Sequence, residues 1–366
     1  MTHIDRRPGS HRDLTKNLAE GLPPHNLVKQ PENTLATPEQ LAIEAMHWQS
    51  LGYIHHAVAC HIQRINCYRK REDKINEAYT LAELGRGYDL LGDVDEAIES
   101  CEHSIAIAQQ IGDRQLEGRA LITLGTAYGH LGYAQQTMNY GNQGLQIAYE
   151  TGSRNIEHSA LECLGNAHLW LGDIETSLQF YQRSLDIARE LNTLQEIGLL
   201  LEDLGFACAT LNDITRAVDF YKQSIAICNV INALYSRGKA LAHLGNAYTL
   251  SDQLAEAEAT LSQTKLIFDE VHMYRGYTLH SFYMANFYKR LQQFKSAQQC
   301  YQRAIRLFDD VQDRYGQAQC LLEYALLLRE HKQEQEAQKI AHFALTIYRE
   351  RGTEGQVMRV QEWLGE

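Results

Sequence analysis

Along this chain, a large apolar residue followed by glycine recurs at a fixed interval. Leu-Gly stands at 84–85, 124–125, 164–165, 204–205 and 244–245, forty residues apart each time, and again at 364–365. Met284-Ala285 and Tyr324-Ala325 keep the large-small pattern in between. A second ladder follows seven residues later at Leu51-Gly52, Leu91-Gly92, Leu131-Gly132, Leu171-Gly172 and Leu211-Asn212. A small ladder runs from Ala57 and Ala97 to Ala337, and an apolar one from Cys67 and Ile107 to Ile347. A fixed period of this size predicts a solenoid whose units bury their apolar faces against neighbouring units. Each unit reads as two helices, the first stopping at Gly92, Gly132, Gly172 or Asn212 and the second at Gly112, Gly152, Asn192 or Asn232. Glycine and asparagine both accept the left-handed conformation of a helix C-cap. The mid-helix glycines, such as Gly85, would instead let two helix backbones approach, facing the small ladder at 97 and its equivalents. Eight such units are expected over residues 38–352, beginning near 38, 78, 118, 158, 198, 238, 278 and 318. The tail 353–366 would be a capping helix with Thr353 as N-cap and Val357, Val360 and Leu364 turned inward. Residues 1–37, polar and non-periodic, are expected to form a disordered arm.

The proline distribution strengthens the helical reading. All five prolines lie within the first 38 of 366 residues, and proline is excluded from helix interiors. No run approaches the length of apolar residues that a membrane span requires, and the start MTHIDRRPGSHRDLTKN has no apolar stretch of a secretory signal. The net charge of −12 repels phosphate backbones, so no nucleic-acid partner is expected. Eight scattered cysteines without CxxC spacing read as thiols in a reducing cytoplasm.

Leu84-Gly85, Tyr88, Leu91-Gly92 and Ala97, a small residue at 104, and Tyr181, Tyr221 and Tyr301 in the second helix carry a resemblance to a known family. So do the segments LGNAHLWLGD at 164–173 and LGNAYTL at 244–250. They resemble the tetratricopeptide repeat in its longer form, as in spindle-orientation adaptors, kinesin light chains and many bacterial multi-repeat proteins. Two departures are the missing proline after the second helix and a repeat six residues longer than the common form. The resemblance implies an all-α, right-handed α–α superhelix of eight helix pairs plus a C-terminal capping helix.

No P-loop, HExxH or GxSxG occurs, and no enzymatic activity, catalytic residue or cofactor is expected. His55, His56, Cys60, His61 and Cys67 offer metal-ligating types on one stretch, but His61 and Cys67 fill ladder positions and His55 is expected to face water, so no metal site is assigned. Function is expected on a surface. The resemblance implies that the first helices line a concave groove and that certain places of each repeat face a ligand. On this chain those places hold Arg86 and Arg119 near the N-terminus, then Glu162, Asn166, Trp170, Glu202 and Phe206 in the middle. Lys239, Asn246, Phe282, Tyr283, Asn286, Lys289 and Arg290 follow toward the C-terminus. Aromatic and arginine side chains are the usual anchors of binding hot spots, and asparagines can hold a peptide backbone. The alternative for Phe282 and Tyr283 is a structural bridge between repeats. The carboxylate clamp of some relatives is not expected, since Gln319, Leu322 and Glu323 stand where cations are needed. The expected function is that of a protein-interaction scaffold, adaptor or assembly factor that takes a partner's peptide segment, with self-association open. The alternative is a peptide-sensing regulator of the bacterial repeat type, although those carry an effector domain before the repeats that 37 residues would not supply.

Overall fold

In the computed structural model, which describes residues 36–365, the helix starts keep the forty-residue spacing of the ladders, except that the first helix begins at Pro38, thirty-six residues before the next of its kind. The first helices of the pairs are α1 (Pro38–Leu51), α3 (Lys74–Leu91), α5 (Arg114–His130), α7 (Arg154–Leu171), α9 (Leu194–Thr210), α11 (Leu234–Leu250), α13 (Tyr274–Arg290) and α15 (Arg314–Glu330). Their partners are α2 (Ile54–Lys70), α4 (Val94–Ile111), α6 (Ala134–Thr151), α8 (Ile174–Glu190), α10 (Ile214–Val230), α12 (Leu254–Val271), α14 (Phe294–Asp310) and α16 (Glu334–Glu350), and α17 (Glu354–Leu364) closes the stack. No strand occurs among the described residues, so the architecture is an all-α superhelix of paired helices. None of its helices is long and apolar enough to cross a membrane. The expected N-terminal arm lies outside the described residues except for its last two, where Thr37 caps α1. The Thr37 hydroxyl accepts from the Gln40 amide and Gln40 Oε1 accepts from the Thr37 amide, a reciprocal capping box.

Every helix is followed within two residues by one in the left-handed region. Glycine and asparagine fill the expected stops, but Glu72, Asp252, His272, Gln292, Gln312 and Lys332 adopt the same φ. A side chain there costs about 1–2 kcal/mol. The tight turn between packed helices leaves no other backbone path, so packing overrides local preference. At the last helix the expectation changes: Thr353 precedes α17, yet its hydroxyl donates to the Tyr348 carbonyl instead of capping.

The mid-helix glycines make room for the second helix, mainly at a place four residues beyond the small ladder. A methyl on Gly85 would stand 2.5 Å from Cys101 Sγ and 3.1 Å from the Ala97 carbonyl. On Gly165 or Gly205 it would stand 2.6 Å from the ring of Tyr181 or Tyr221, and on Gly245 2.7 Å from Leu261. Tyr181, Tyr221 and Tyr301 are accordingly fully buried. Three serines repeat a polar version of the contact: Ser104, Ser184 and Ser224 each donate to a first-helix carbonyl, of Ala78, His158 and Gly198 respectively, at 2.7 Å.

First helices touch the next first helices along much of the stack, α3 with α5, α5 with α7, α9 with α11 and α11 with α13, whereas second helices are held apart. The first helices therefore occupy the shorter inner radius and face the superhelix axis. Successive turns also meet. Gly52 lies against Tyr235 and Val271, Gly92 against Val311 and Gly132 against Arg351. The partners of these three glycines at the end of a second helix lie 219 residues further on, about five and a half repeats, which sets the length of one turn. A polar latch crosses the same seam. Arg275 Nε donates to the Asp89 carbonyl at 2.9 Å, and its guanidinium stands 3.8 Å from the Asp89 carboxylate, which His130 also engages at 2.6 Å.

Candidate protein-binding trough

The inner wall is built from residues at the same places on successive first helices. At its centre, Glu202 on α9 is buried and holds Lys239 Nζ at 3.0 Å and His243 Nε2 at 3.3 Å, both from α11. Burial pushes the Glu202 carboxyl up, but the Lys239 charge and the bond to His243 outweigh it and hold it below the usual carboxylate range. His243 Nδ1 meets the Tyr283 hydroxyl at 2.7 Å, while its ring stacks on Tyr221 at 5.5 Å and meets the Phe206 ring at 5.4 Å. Glu202, Lys239, His243 and Tyr283 thus form one satisfied network that joins three repeats.

Glu162 on α7 and Asp203 on α9 differ. Neither makes an ion pair among the described residues. Burial pushes the Glu162 carboxyl up to about 7, with the Glu196 charge adding to it. Burial also raises Asp203 well above its ordinary value, reinforced by Glu162 and Glu202. Both side chains are only half-buried, so they keep access to solvent while protein surrounds them. Two carboxyls that resist ionisation stand ready for a cationic group.

The asparagines are partly committed. Asn286 Nδ2 donates to Asn246 Oδ1 at 2.9 Å, and the Tyr301 hydroxyl donates to Asn286 Oδ1 at 2.7 Å. The Tyr181 hydroxyl donates to Asn166 Oδ1 at 2.6 Å. The amide NH2 groups of Asn166 and Asn246 have no acceptor among the described residues, which leaves donors at two points of the inner wall.

At the N-terminal end, Glu83 clamps two arginines, Arg86 at 2.7 Å and Arg119 at 2.9 Å, and Arg119 lies 4.7 Å from the centre of the Tyr79 ring. At the other end, Lys289 reaches Glu323 at 3.3 Å. Arg290 forks onto Asp252, both of them exposed. Three aromatic residues are spoken for. Phe282 and Tyr283 are buried and stack on each other in the core between repeats. Trp170 packs into the seam, against the Gly129 backbone of the preceding repeat and 6.4 Å from the Tyr315 ring of the next turn. The sequence reading did not single out Glu83 and His243 for the groove, although they share one column with Asp203 and Tyr283 at forty-residue spacing. Nor does His55 face water: it is half-buried, and burial pulls its imidazole down to about 4. Among the described residues no His, Cys, Asp and Glu side chains gather into a set that could hold a metal ion.

Tetratricopeptide-repeat family models match residues 80–115, 157–229 and 284–310. The chain is a tetratricopeptide-repeat protein. No curated protein matches it in sequence. Its repeats superpose on those of a Rap protein complexed with Competence and Sporulation Factor, with a TM-score of 0.64 at 13% identity, over 86% of this chain and 99% of that one. NprR in complex with its cognate peptide NprX gives 0.58 at 12% identity, over 78% and 84% of the two chains. Aspartyl phosphate phosphatase F from Bacillus subtilis gives 0.54 at 15% identity, over 83% and 84%. At these identities the likeness is one of fold.

Proposed function

We infer that this tetratricopeptide-repeat protein is a non-enzymatic interaction scaffold, an adaptor or assembly factor, that takes a peptide segment of a protein partner along its inner wall. The observation that carries the reading is the set of inward polar groups without partners, the Glu162 and Asp203 carboxyls and the Asn166 and Asn246 NH2 groups. The cations nearest the two acids are already paired, Lys239 with Glu202 and Arg86 with Glu83. Polar groups reachable from solvent but unclaimed by the protein can exchange their water for the polar groups of a ligand. The asparagines suit the carbonyls of an extended or helical backbone, and the acid pair suits a lysine or arginine side chain. Arg86 and Arg119 flank one end of the segment, and Lys289 the other. Eight free thiols favour a reducing compartment such as the cytoplasm.

A partner recovered with the wild-type chain is titrated against Glu162→Gln/Asp203→Asn and against Asn166→Ala/Asn246→Ala. Affinity at least tenfold weaker with an unchanged melting temperature supports the trough; equal affinity in both variants rejects it. Phe282 is unsuited to this test because its removal would damage the core.

A second reading has support in the NprR likeness, since that protein is complexed with a cognate peptide. The ligand would then be a free signalling peptide that regulates what the solenoid binds elsewhere. Short synthetic peptides that bind as tightly as the intact partner would favour it.

A further inference from the structure

The outer surface carries a site unrelated to the trough. Because the second helices stand apart, a slot opens between α8 and α10, floored by Leu204 of α9 and walled by Leu178 of α8, with a volume of about 490 Å³. That falls within the range of ligand-sized clefts. Two exposed guanidiniums stand on its rim, Arg183 from α8 and Arg216 from α10. Arg183 donates to the hydroxyl of Tyr149 at 3.4 Å, and that ring is 59% exposed. Arg216 has one carboxylate nearby, Asp213 at 3.6 Å, and keeps 60% of its side chain open.

The forty-residue column makes these cations informative. At the place of Arg216 other repeats carry Glu96, Glu256 and Glu336; at the place of Arg183 they carry Gln143, Gln223 and Gln263, and arginine again at Arg303. The fold therefore accepts an acid or an amide there, and packing does not demand arginine. On a chain of net charge −12, two outward arginines beside an exposed tyrosine and an apolar floor combine the residue types of a binding hot spot.

We propose that the α8–α10 slot is a second docking site, and that its occupant is an acidic segment of another protein. A leucine- or phenylalanine-sized side chain enters between Leu178 and Leu204, and flanking carboxylates meet Arg183 and Arg216. Charge complementarity selects this occupant, since a basic segment would be repelled by the two rim arginines and an uncharged one would bring them no carboxylate.

The test uses the full chain with ¹³C-labelled leucine methyls and two capped hexapeptides, acetyl-Glu-Asp-Leu-Phe-Asp-Glu-amide and its lysine counterpart acetyl-Lys-Lys-Leu-Phe-Lys-Lys-amide. The acidic peptide should shift the Leu178 and Leu204 methyl signals saturably and bind at least tenfold more weakly to Arg183→Glu/Arg216→Glu. Both substitutions lie on exposed side chains, and circular dichroism verifies that the variant is folded. Equal response to both peptides, or no movement of the two methyl signals, overturns the proposal. Light scattering adds a third arm. Self-association of the wild type that the double variant abolishes would identify a second copy as the occupant and overturn the commitment to a foreign segment.

Discussion

Gly92 and Gly112 have the same backbone conformation, with φ of +86° and +74°, yet different surroundings. A methyl on Gly92 would stand 2.8 Å from Val311 Cβ, whereas nothing lies within 4 Å of one on Gly112. Gly112→Ala should cost about 1–2 kcal/mol from the left-handed conformation alone. Gly92→Ala should cost about 1–3 kcal/mol more, because it overpacks the seam. Urea denaturation of the pair checks this, and equal losses would mean that the seam tolerates a side chain. Glu162 supplies a second residue-scale prediction. Folding raises its carboxyl, so the folded chain holds that proton more tightly than the unfolded chain does. The stability so gained is present at low pH and is lost as pH rises toward about 7. A basic peptide favours the ionised form, so its affinity should climb between about pH 6 and about pH 8. In Glu162→Gln/Asp203→Asn that slope should vanish; a slope that persists assigns the titration elsewhere.

At the scale of elements, the forty-residue unit is a pair of helices locked by one close approach, and α17 shows what the pair needs at its end. Its Val360 is fully buried, with Trp363 and Leu364 packed against the last pair. Arg329 lies 4.3 Å from the centre of the Trp363 ring. Val360→Asp would bury a charge with no partner there, so a loss of about 3–5 kcal/mol is expected. The melting transition should fall, and light scattering should show association through the uncovered face of α16. A variant that melts like the wild type would deny α17 its capping role. Much of this scale was legible in the sequence. The ladders place the helices, the glycine and asparagine stops mark their ends, and the spacing of Thr37 and Gln40 marks the first start. Glu72, His272 and Lys332 were not legible as left-handed residues, because local preference opposes the conformation that the turn imposes.

At the scale of the whole molecule, the seam between turns defines the shape of the trough. Burial pushes the Asp89 carboxyl up, but His130 and Arg275 outweigh it and keep it ionised. Arg275→Met removes the cation that holds Asp89 across the turns and leaves Arg351, which lies against Gly132, in place. We expect the helix content to stay the same by circular dichroism while the radius of gyration grows by small-angle scattering. An unchanged radius would show that the contacts at Val271, Val311 and Arg351 hold the seam without the latch. The seam also explains a change along the second ladder. First-helix stops are glycine at 52, 92, 132 and 172 and become Asn212, Asp252, Gln292 and Lys332 afterwards. At the first three stops the next turn lies directly against the glycine. At Gly172 a methyl would find open space, but the carbonyl of Leu171 just before it touches Gly355.

Periodicity by itself determined the helices, their pairing and the order of the stack, because each unit buries its apolar ladder against the units beside it in the chain. Those are short-range matters, and one column of residues records them. Only the tertiary structure decided which inward residues are available. Trp170 on α7 and Phe282 and Tyr283 on α13 look like anchors, yet Trp170 packs into the seam and the neighbouring repeat buries the other two. Glu162 and Asp203 look like ordinary surface acids until the wall is curved and every nearby cation is already paired. Curvature and contact between turns arise from residues some two hundred positions apart, a separation that no local pattern encodes.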